Sequence, residues 1–177
     1  MTSEPLPAPP PGATVDADAF RRALGRFATG LSVVTTVADG VDHAMTANSF
    51  TSVSLDPPLV LVCVEKVTRF HRAILASRAW AVSVLAEDDR DAAVWFASRG
   101  RPLDTQLDGV LTVRGVRTGA AILGRALAAV ECQTYAAYDG GDHTIVVGRV
   151  VGVSTPRPDA RPLVYYTGRY HGLGGRA

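Results

Sequence analysis

The chain has 177 residues, a length that suits one domain with a substantial buried core. Its 18 Lys and Arg residues nearly balance its 17 Asp and Glu residues, which leaves a formal net charge of +1. Because charges of both signs are scattered along the chain, neither a nucleic-acid-binding surface nor a polybasic membrane patch is indicated. We therefore expect the partner to be a small molecule or another protein, with no nucleic acid and no membrane.

The N-terminal segment predicts a disordered, Pro-rich tail over residues 1–15, followed by one domain over residues 16–177. Five prolines precede Thr14, and such a composition does not bury enough apolar surface to become ordered. The segment lacks the basic and apolar regions of a secretion signal, and apolar runs elsewhere are too short to span a bilayer. We expect a cytoplasmic protein, with Cys63 and Cys132 as buried free thiols within apolar runs.

The first half of the chain predicts a helix, a hairpin and a buried strand. Phe20, Leu24 and Phe27 recur at helical spacing, and Asp39-Gly40 is a hairpin-turn pair between β-branched runs. The predicted elements are a helix from Asp16, its N-cap, to Gly30, a strand over 31–38, a returning segment over 41–53, an irregular Asp56-Pro57-Pro58 break and a strand over 59–64 that is buried on both faces.

The second half predicts two short helices and several strands. Gly148 and Gly152 share one face of the second long strand, as expected where a strand bends or lets another backbone come close. The predicted elements are a helix capped by Thr68, a strand over 79–85, a helix from Asp88 or Asp89 to Phe96, a loop over 99–124 around a strand at 110–113, long strands over 127–138 and 144–154 joined by a hairpin turn, and a last strand over 163–166. Many strands with few long helices favour a mainly antiparallel barrel over a doubly wound sheet.

A dense run of small and hydroxylated residues over 44–52 is the first candidate for function. It includes Thr46, Ala47, Asn48 and Ser49. Small side chains and exposed backbone N–H groups match the carbonyl and imide edge of a flavin, while Ala47 leaves room for the ring. An ordinary Thr- and Ser-rich strand with one solvent face explains the same run, and the residues alone leave both interpretations open.

A second candidate, over residues 63–70, has features of a phosphate site. Lys66 and Arg69 bring positive charge, and Thr68 stands at a helix N-terminus, where backbone donors and the dipole favour anions. A capping threonine beside two solvated cations is an equally good interpretation of this segment.

Two weaker candidates lie in the last third of the chain. His143 stands at a hairpin end, where it can donate to a nicotinamide amide or help to move a proton, although a turn histidine is usually only polar filler. Arg169 and Tyr170 belong to an aromatic cluster near the C-terminus that can stack on a planar cofactor or simply pack at a barrel rim.

Other chemistries lack their motifs. No GxGxxG follows a strand, and no Walker sequence or G-x-S-x-G elbow is present. The four histidines are widely separated, so we expect no metal site.

Taken in order, several of these segments resemble the short-chain flavin reductases of two-component flavin-dependent monooxygenases. The resemblance extends from Asp16 to Leu173, and its most specific block is the Thr-Ala-Asn-Ser to Asp-Pro-Pro stretch. The segments that carry it are Phe27-Ala28-Thr29-Gly30, Met45 through Ser54 with Asp56-Pro57-Pro58-Leu59-Val60, Gly141-Asp142-His143, Gly148-Arg149-Val150, Pro162-Leu163 and Arg169-Tyr170.

This resemblance implies a mainly β, homodimeric split β-barrel of the Greek-key, FMN-binding type with a few flanking α-helices. It implies an NAD(P)H:flavin oxidoreductase that takes a hydride from NADH or NADPH, reduces FMN or FAD, and supplies the reduced flavin, through a transient contact, to a partner monooxygenase. The site residues implied are Thr46, Ala47, Asn48 and Ser49 along the isoalloxazine, Cys63, Lys66, Thr68 and Arg69 along the ribityl-phosphate side, and His143, Arg169 and Tyr170 around the nicotinamide, with His143 as the catalytic candidate.

Val67 departs from the family, which often has a hydroxyl residue at that position. Two alternatives stay open. One is a flavin-binding electron carrier or sensor without nicotinamide turnover, and the other is a pyridoxamine-phosphate-oxidase-like flavoenzyme, which usually has a richer Arg and Lys phosphate site.

Overall fold

A computed structural model describes residues 14–174, which form a mainly antiparallel β structure. The disordered tail was predicted over residues 1–15. Residues 1–13 lie outside the described residues, and Thr14 and Val15 have no regular secondary structure. The described elements are α1 (Ala17–Leu24), β1 (Thr29–Gly30), β2 (Ser32–Ala38), β3 (Val41–Ala47), β4 (Thr51–Leu55), β5 (Pro58–Glu65), α2 (Arg69–Ser77), β6 (Ala79–Val84), a 3-10 helix (Glu87–Asp89), α3 (Arg90–Ala97), β7 (Thr112–Arg114), β8 (Ala121–Leu123), β9 (Ala128–Gly140), β10 (His143–Ser154), β11 (Leu163–Tyr166) and β12 (Arg169–Gly172).

The main sheet has seven strands in the order β3-β2-β6-β9-β10-β5-β4, and each neighbouring pair is antiparallel. A flat sheet of this size would separate its outer strands by about 29 Å. Yet only residues 48–50 connect the edge strands β3 and β4, so the Cα atoms of Ala47 and Thr51 lie within about 15 Å of each other. The sheet therefore curves until its two edges approach at this connection.

The tight hairpins form as predicted, because their turn residues accept the backbone that a two-residue turn requires. Asp39 and Gly40 both have positive φ, 52° and 76°, as expected for a primed turn between β2 and β3. The long hairpin of β9 and β10 turns at Gly141, with a φ of 74°. Strands β6 and β11 and helix α3 also form close to their predicted positions.

Gly148 allows a large side chain from a nearby strand of the same sheet to pack against the backbone of β10, a close approach of the kind that the sequence predicted for this strand. It lies on β10 next to a β-bulge. A Cβ atom at this position would overlap the indole ring of Trp80 and stand 2.8 Å from Cβ of Cys132. Trp80 is fully buried at the centre of the main apolar cluster, so the missing side chain creates the space that the indole occupies.

The prediction of a helix from Asp16 to Gly30 is wrong at its C-terminal end. Asp16 caps α1 as expected, since its Oδ1 accepts the N–H of Ala19 at 2.8 Å, but the helix ends at Leu24. Gly25 is a poor helix residue, and Thr29 and Gly30 instead pair with β11. Long-range pairing therefore overrides the helical spacing of Phe27.

Three strand predictions also need correction. The segment 41–53 is not one strand, because β3 and β4 lie on opposite edges of the sheet. The strand over 59–64 is buried on one face only: Val60, Val62 and Val64 point into the core while the alternate residues are half-buried. The strand expected at 110–113 lies at Thr112–Arg114, where it pairs with β8, and β8 and β12 were not predicted.

Within residues 14–174, no helix combines the length and the apolar character needed to cross a membrane.

Candidate functional site

A cleft of about 630 Å³ opens where β3 ends, between helix α2 and the loop that follows α3. This volume is typical of small-molecule sites. Eight of the eleven predicted site residues line it: Thr46, Ala47, Asn48, Ser49, Cys63, Thr68, Arg69 and His143.

The connection between the two edge strands forms one wall of the cleft. Thr46 donates its hydroxyl hydrogen to the carbonyl of Ala93 on α3, at 2.7 Å. Ser49 Oγ accepts the N–H of Cys63 at 3.0 Å and donates to the carbonyl of the same residue at 3.2 Å. These two hydroxyls therefore fix the wall to its neighbours, while the small Ala47 and the exposed Asn48 shape the space in front of it.

The N-terminus of α2 supplies a positive end to the cleft. Thr68 is its N-cap, accepting the N–H of His71 at 3.3 Å and donating to the carbonyl of Glu65 at 2.8 Å. Arg69 is the first residue of the helix and lines the cleft. The helix dipole and the guanidinium thus favour an anion at this end.

The loop after α3 forms the opposite wall and is held against the free edge of β3 by two buried side chains. Gln106, which is 1% exposed, accepts the N–H of Ala44 at 3.2 Å and donates to the carbonyl of Asp42 at 2.7 Å. Arg101 donates to the carbonyl of Ala44 at 2.8 Å. The two side chains therefore form hydrogen bonds with free backbone groups of the edge strand, as a neighbouring strand would.

At the mouth of the cleft, an ion pair joins two different segments, and a side-chain contact joins the neighbouring residues Asp142 and His143. Arg99 of the loop contacts both carboxylate oxygens of Glu65, at 3.1 and 3.3 Å, across the opening between α3 and β5. His143 lies directly opposite Glu65 in the pairing of β10 with β5. Its Nδ1 is 2.7 Å from an Asp142 carboxylate oxygen, a contact that orients the exposed ring towards the cleft entrance.

Three predicted site residues lie outside the cleft lining. The Lys66 ammonium instead contacts the Asp139 carboxylate and the Gly141 carbonyl, which ties it to the β9–β10 turn. Arg169 and Tyr170 lie on β12, where the Tyr170 ring packs 5.6 Å from that of Tyr165. The structure therefore does not bring these three side chains to the other eight.

The cleft residues that come from the loop after α3, chiefly Arg99 and Arg101, were not predicted from the sequence. The segment that contains them is visibly rich in Arg and Gly, but no periodicity or motif in the sequence placed it beside β3. Glu65 was not predicted either, because its role depends on its contact with Arg99.

Both cysteines are free thiols as predicted, but only Cys132 is buried, whereas Cys63 is half-buried, and neither has the character of a nucleophile. Burial raises the pKa of the Cys63 thiol, and burial together with the charge of Glu131 raises the pKa of Cys132 to about 12. Both thiols therefore stay protonated at neutral pH. Among the described residues, no three His, Cys, Asp or Glu side chains are grouped in a way that would hold a metal ion.

The family model for the flavin reductase like domain matches residues 24–174. The chain is 39% identical over 162 residues to the reductase subunit HsaB of a flavin-dependent monooxygenase from Mycobacterium tuberculosis, covering 91% of this chain and 84% of the relative. It is 43% identical over 152 residues to an NADH-dependent FAD reductase of Streptomyces globisporus, covering 85% and 82%.

Solved structures agree with these relatives. BorF, the flavin reductase component of a bacterial two-component tryptophan halogenase, superposes with a TM-score of 0.85 at 48% identity, covering 91% of this chain and all of that one. The Streptomyces globisporus C-1027 NADH:FAD oxidoreductase SgcE6, solved in complex with NAD and FAD fragments, gives a TM-score of 0.85 at 39% identity, covering 94% and 99%. The resemblance noted in the sequence is thus confirmed over nearly all of the described chain, which belongs to the flavin reductase-like family.

Proposed function

We propose that this protein is an NADH-dependent flavin reductase that reduces FMN or FAD and supplies the reduced flavin to a partner monooxygenase. The observation that carries the proposal is the cleft in which a wall of small residues meets a positively charged helix N-terminus. Relatives named as NADH-dependent flavin reductases and as reductase subunits of monooxygenases support it.

The cleft suits a flavin in size and in the chemistry of its walls. Its volume falls within the range of cofactor sites. Residues 46–49 provide a low wall against which a flat ring system fits, and Thr68 with Arg69 stands where a ribityl phosphate needs positive charge. Cys63 lies between these two parts of the cleft as an uncharged, protonated thiol.

A flavin in this cleft would supply the hydride acceptor, and the residues of the two walls would hold the nicotinamide and flavin rings in contact. Such positioning accounts for several kcal/mol of a barrier. The walls at 46–49 and 98–101 would cover the two sides of rings held between them. Because hydride transfer requires no protein acid or base, we assign His143 at the mouth to orienting the nicotinamide.

Replacing His143 with alanine is expected to raise the Michaelis constant for NADH about fivefold, the loss of one hydrogen bond of ~1 kcal/mol, with a smaller fall in turnover. Steady-state kinetics at saturating flavin measure both constants. Ser154→Ala, at an exposed position at the other end of β10 and outside the cleft lining, is the control and should leave both unchanged. An unaltered Michaelis constant with abolished turnover would contradict a positioning role.

The proposal also covers the closure of the main sheet into a barrel and the oligomeric state of the protein. The approach of β3 and β4 supports closure into a split Greek-key barrel, and we propose that the chain forms a homodimer that contacts its oxygenase transiently. Lys66 then acts by holding the turn next to His143. Arg169 and Tyr170, which do not reach the cleft of their own chain, would border a nicotinamide only from a second copy.

The function is tested by following NADH and NADPH oxidation with the purified protein and with FMN, FAD or riboflavin added in turn. We expect oxidation that depends on added flavin and is faster with NADH. Flavin binding without oxidation of either nucleotide would favour the electron carrier or sensor instead.

A further inference from the structure

Arg101 is the only described arginine whose side chain is anchored by backbone carbonyls of both a helix end and the edge strand β3. Its Nη1 donates to the carbonyls of Trp95, Phe96 and Ser98 at the C-terminus of α3, and its Nη2 donates to the carbonyl of Ala44. The residue is 9% exposed and lines the cleft. Arg101 therefore ties the two walls of the cleft together.

The positive charge of Arg101 has no negative partner. Within residues 14–174, no carboxylate lies within ion-pair distance of Arg101 or of Arg69, and the one carboxylate of the cleft lining, Glu65, is already paired with Arg99. The Nε–H of Arg101 is buried and without a hydrogen-bond partner among these residues. The carbonyls at the C-terminus of α3 offset part of this charge through the helix dipole, but no carboxylate neutralises it, so a bound anion would further stabilise the desolvated guanidinium.

Further positive charge lies close to Arg101. Burial and the nearby charge of Arg69 both lower the pKa of Arg101, and burial and Arg69 likewise lower the pKa of His43 on β3. Two guanidinium groups and the N-terminus of α2 therefore concentrate positive charge at one end of the cleft.

We propose that Arg101 is a specificity-determining residue whose charge, which no carboxylate neutralises, favours flavins that carry a phosphate over riboflavin. The inference rests on the proposed function, since it assumes that a flavin occupies the cleft. Arg101 acts with Arg69 and the N-terminus of α2: it holds the loop wall in place and adds a second positive charge for the phosphate of FMN or the pyrophosphate of FAD.

The test compares dissociation constants for riboflavin, FMN and FAD, measured by flavin fluorescence without nicotinamide nucleotide. The readout is the ratio of the riboflavin constant to the FMN constant within each variant, because damage to the fold weakens both flavins together and cancels. We expect the ratio to fall about tenfold in Arg101→Gln, as for the loss of one charge near a phosphate. Arg101→Lys keeps the charge, so its ratio should stay close to that of the wild type.

Arg72→Gln is the matched control, because it removes the same charge from an exposed side chain on α2 outside the cleft lining. Its ratio should equal that of the wild type. An unchanged ratio in Arg101→Gln, with both flavins weakened equally, would overturn the proposal and leave Arg101 a structural anchor.

A nicotinamide nucleotide also carries a pyrophosphate, and a further arm separates the two sources. With riboflavin as acceptor, the Michaelis constant for NADH should be the same in Arg101→Gln as in Arg101→Lys, because both variants disturb the loop wall and differ in charge. A higher constant in Arg101→Gln than in Arg101→Lys, without a change in the flavin ratio, would assign the charge to the nicotinamide nucleotide and overturn the proposal. Failure of the proposed function gives a different result from failure of this inference. In that case the wild type would not oxidise NADH, while the flavin ratio would still change in Arg101→Gln.

Discussion

Replacing Gly148 with valine is expected to destabilise the protein by about 3 kcal/mol or more, and Gly148→Ala by about 1–3 kcal/mol. The new Cβ would overlap the fully buried Trp80 ring and press on Cys132. Neither neighbour has room to retreat, because both belong to the main apolar cluster and protein cores are close-packed.

Urea denaturation, followed by tryptophan fluorescence, measures this loss as a lower transition midpoint. The control is Gly30→Ala, because a Cβ at Gly30 meets no atom within 4 Å and the residue does not have a positive φ. That variant should stay within about 0.5 kcal/mol of the wild type. Equal midpoints for Gly148→Val and Gly30→Ala would show that Gly148 is not a site of close approach.

Replacing Asn48 with tryptophan is expected to weaken flavin binding by at least about a hundredfold, because the indole would occupy the space in front of the wall at 46–49. Asn48 is exposed, unlike its buried neighbour Ala47, so the larger side chain fills the cleft without disturbing the core. Flavin fluorescence titration measures the affinity, and NADH oxidation should fall in parallel.

Asn48→Ala provides the comparison, because it removes the amide without filling the cleft. We expect it to lose less than about tenfold in affinity, the scale of one hydrogen bond. Thermal unfolding of both variants should remain within a few degrees of the wild type. Full flavin affinity in Asn48→Trp would mean that the ring lies elsewhere.

The parts of the fold that could be predicted from sequence are those with local physical causes. Asp39-Gly40 forms its hairpin because both residues tolerate positive φ, and Thr68 caps α2 because its hydroxyl reaches a free backbone N–H. Gly148 was recognised because a glycine inside a long strand signals close approach. The predicted C-terminal end of α1 was wrong because it depends on a distant partner: Thr29 and Gly30 pair with β11.

The site divides in a similar way. Residues 46–49 and 68–69 stand in contiguous runs whose composition already suggested a ring wall and an anion site. The loop wall was invisible, because Gln106 and Arg101 are recognisable only once β3 is known to be an edge strand whose free groups they satisfy. The Lys66 ammonium was assigned to a phosphate, yet in the structure it contacts the β9–β10 turn.

By itself, the sequence determined the hairpins, the helix caps, the glycine at the tight contact and the family, because turn chemistry, capping and ordered motifs act over a few residues. Only the tertiary structure decided which strands form the edges of the sheet, how residues 48–50 bring those edges together, and which charges remain unpaired in the cleft. These features depend on contacts between residues far apart in the chain, such as Ala44 with Arg101 and Glu65 with Arg99, and no local pattern encodes them.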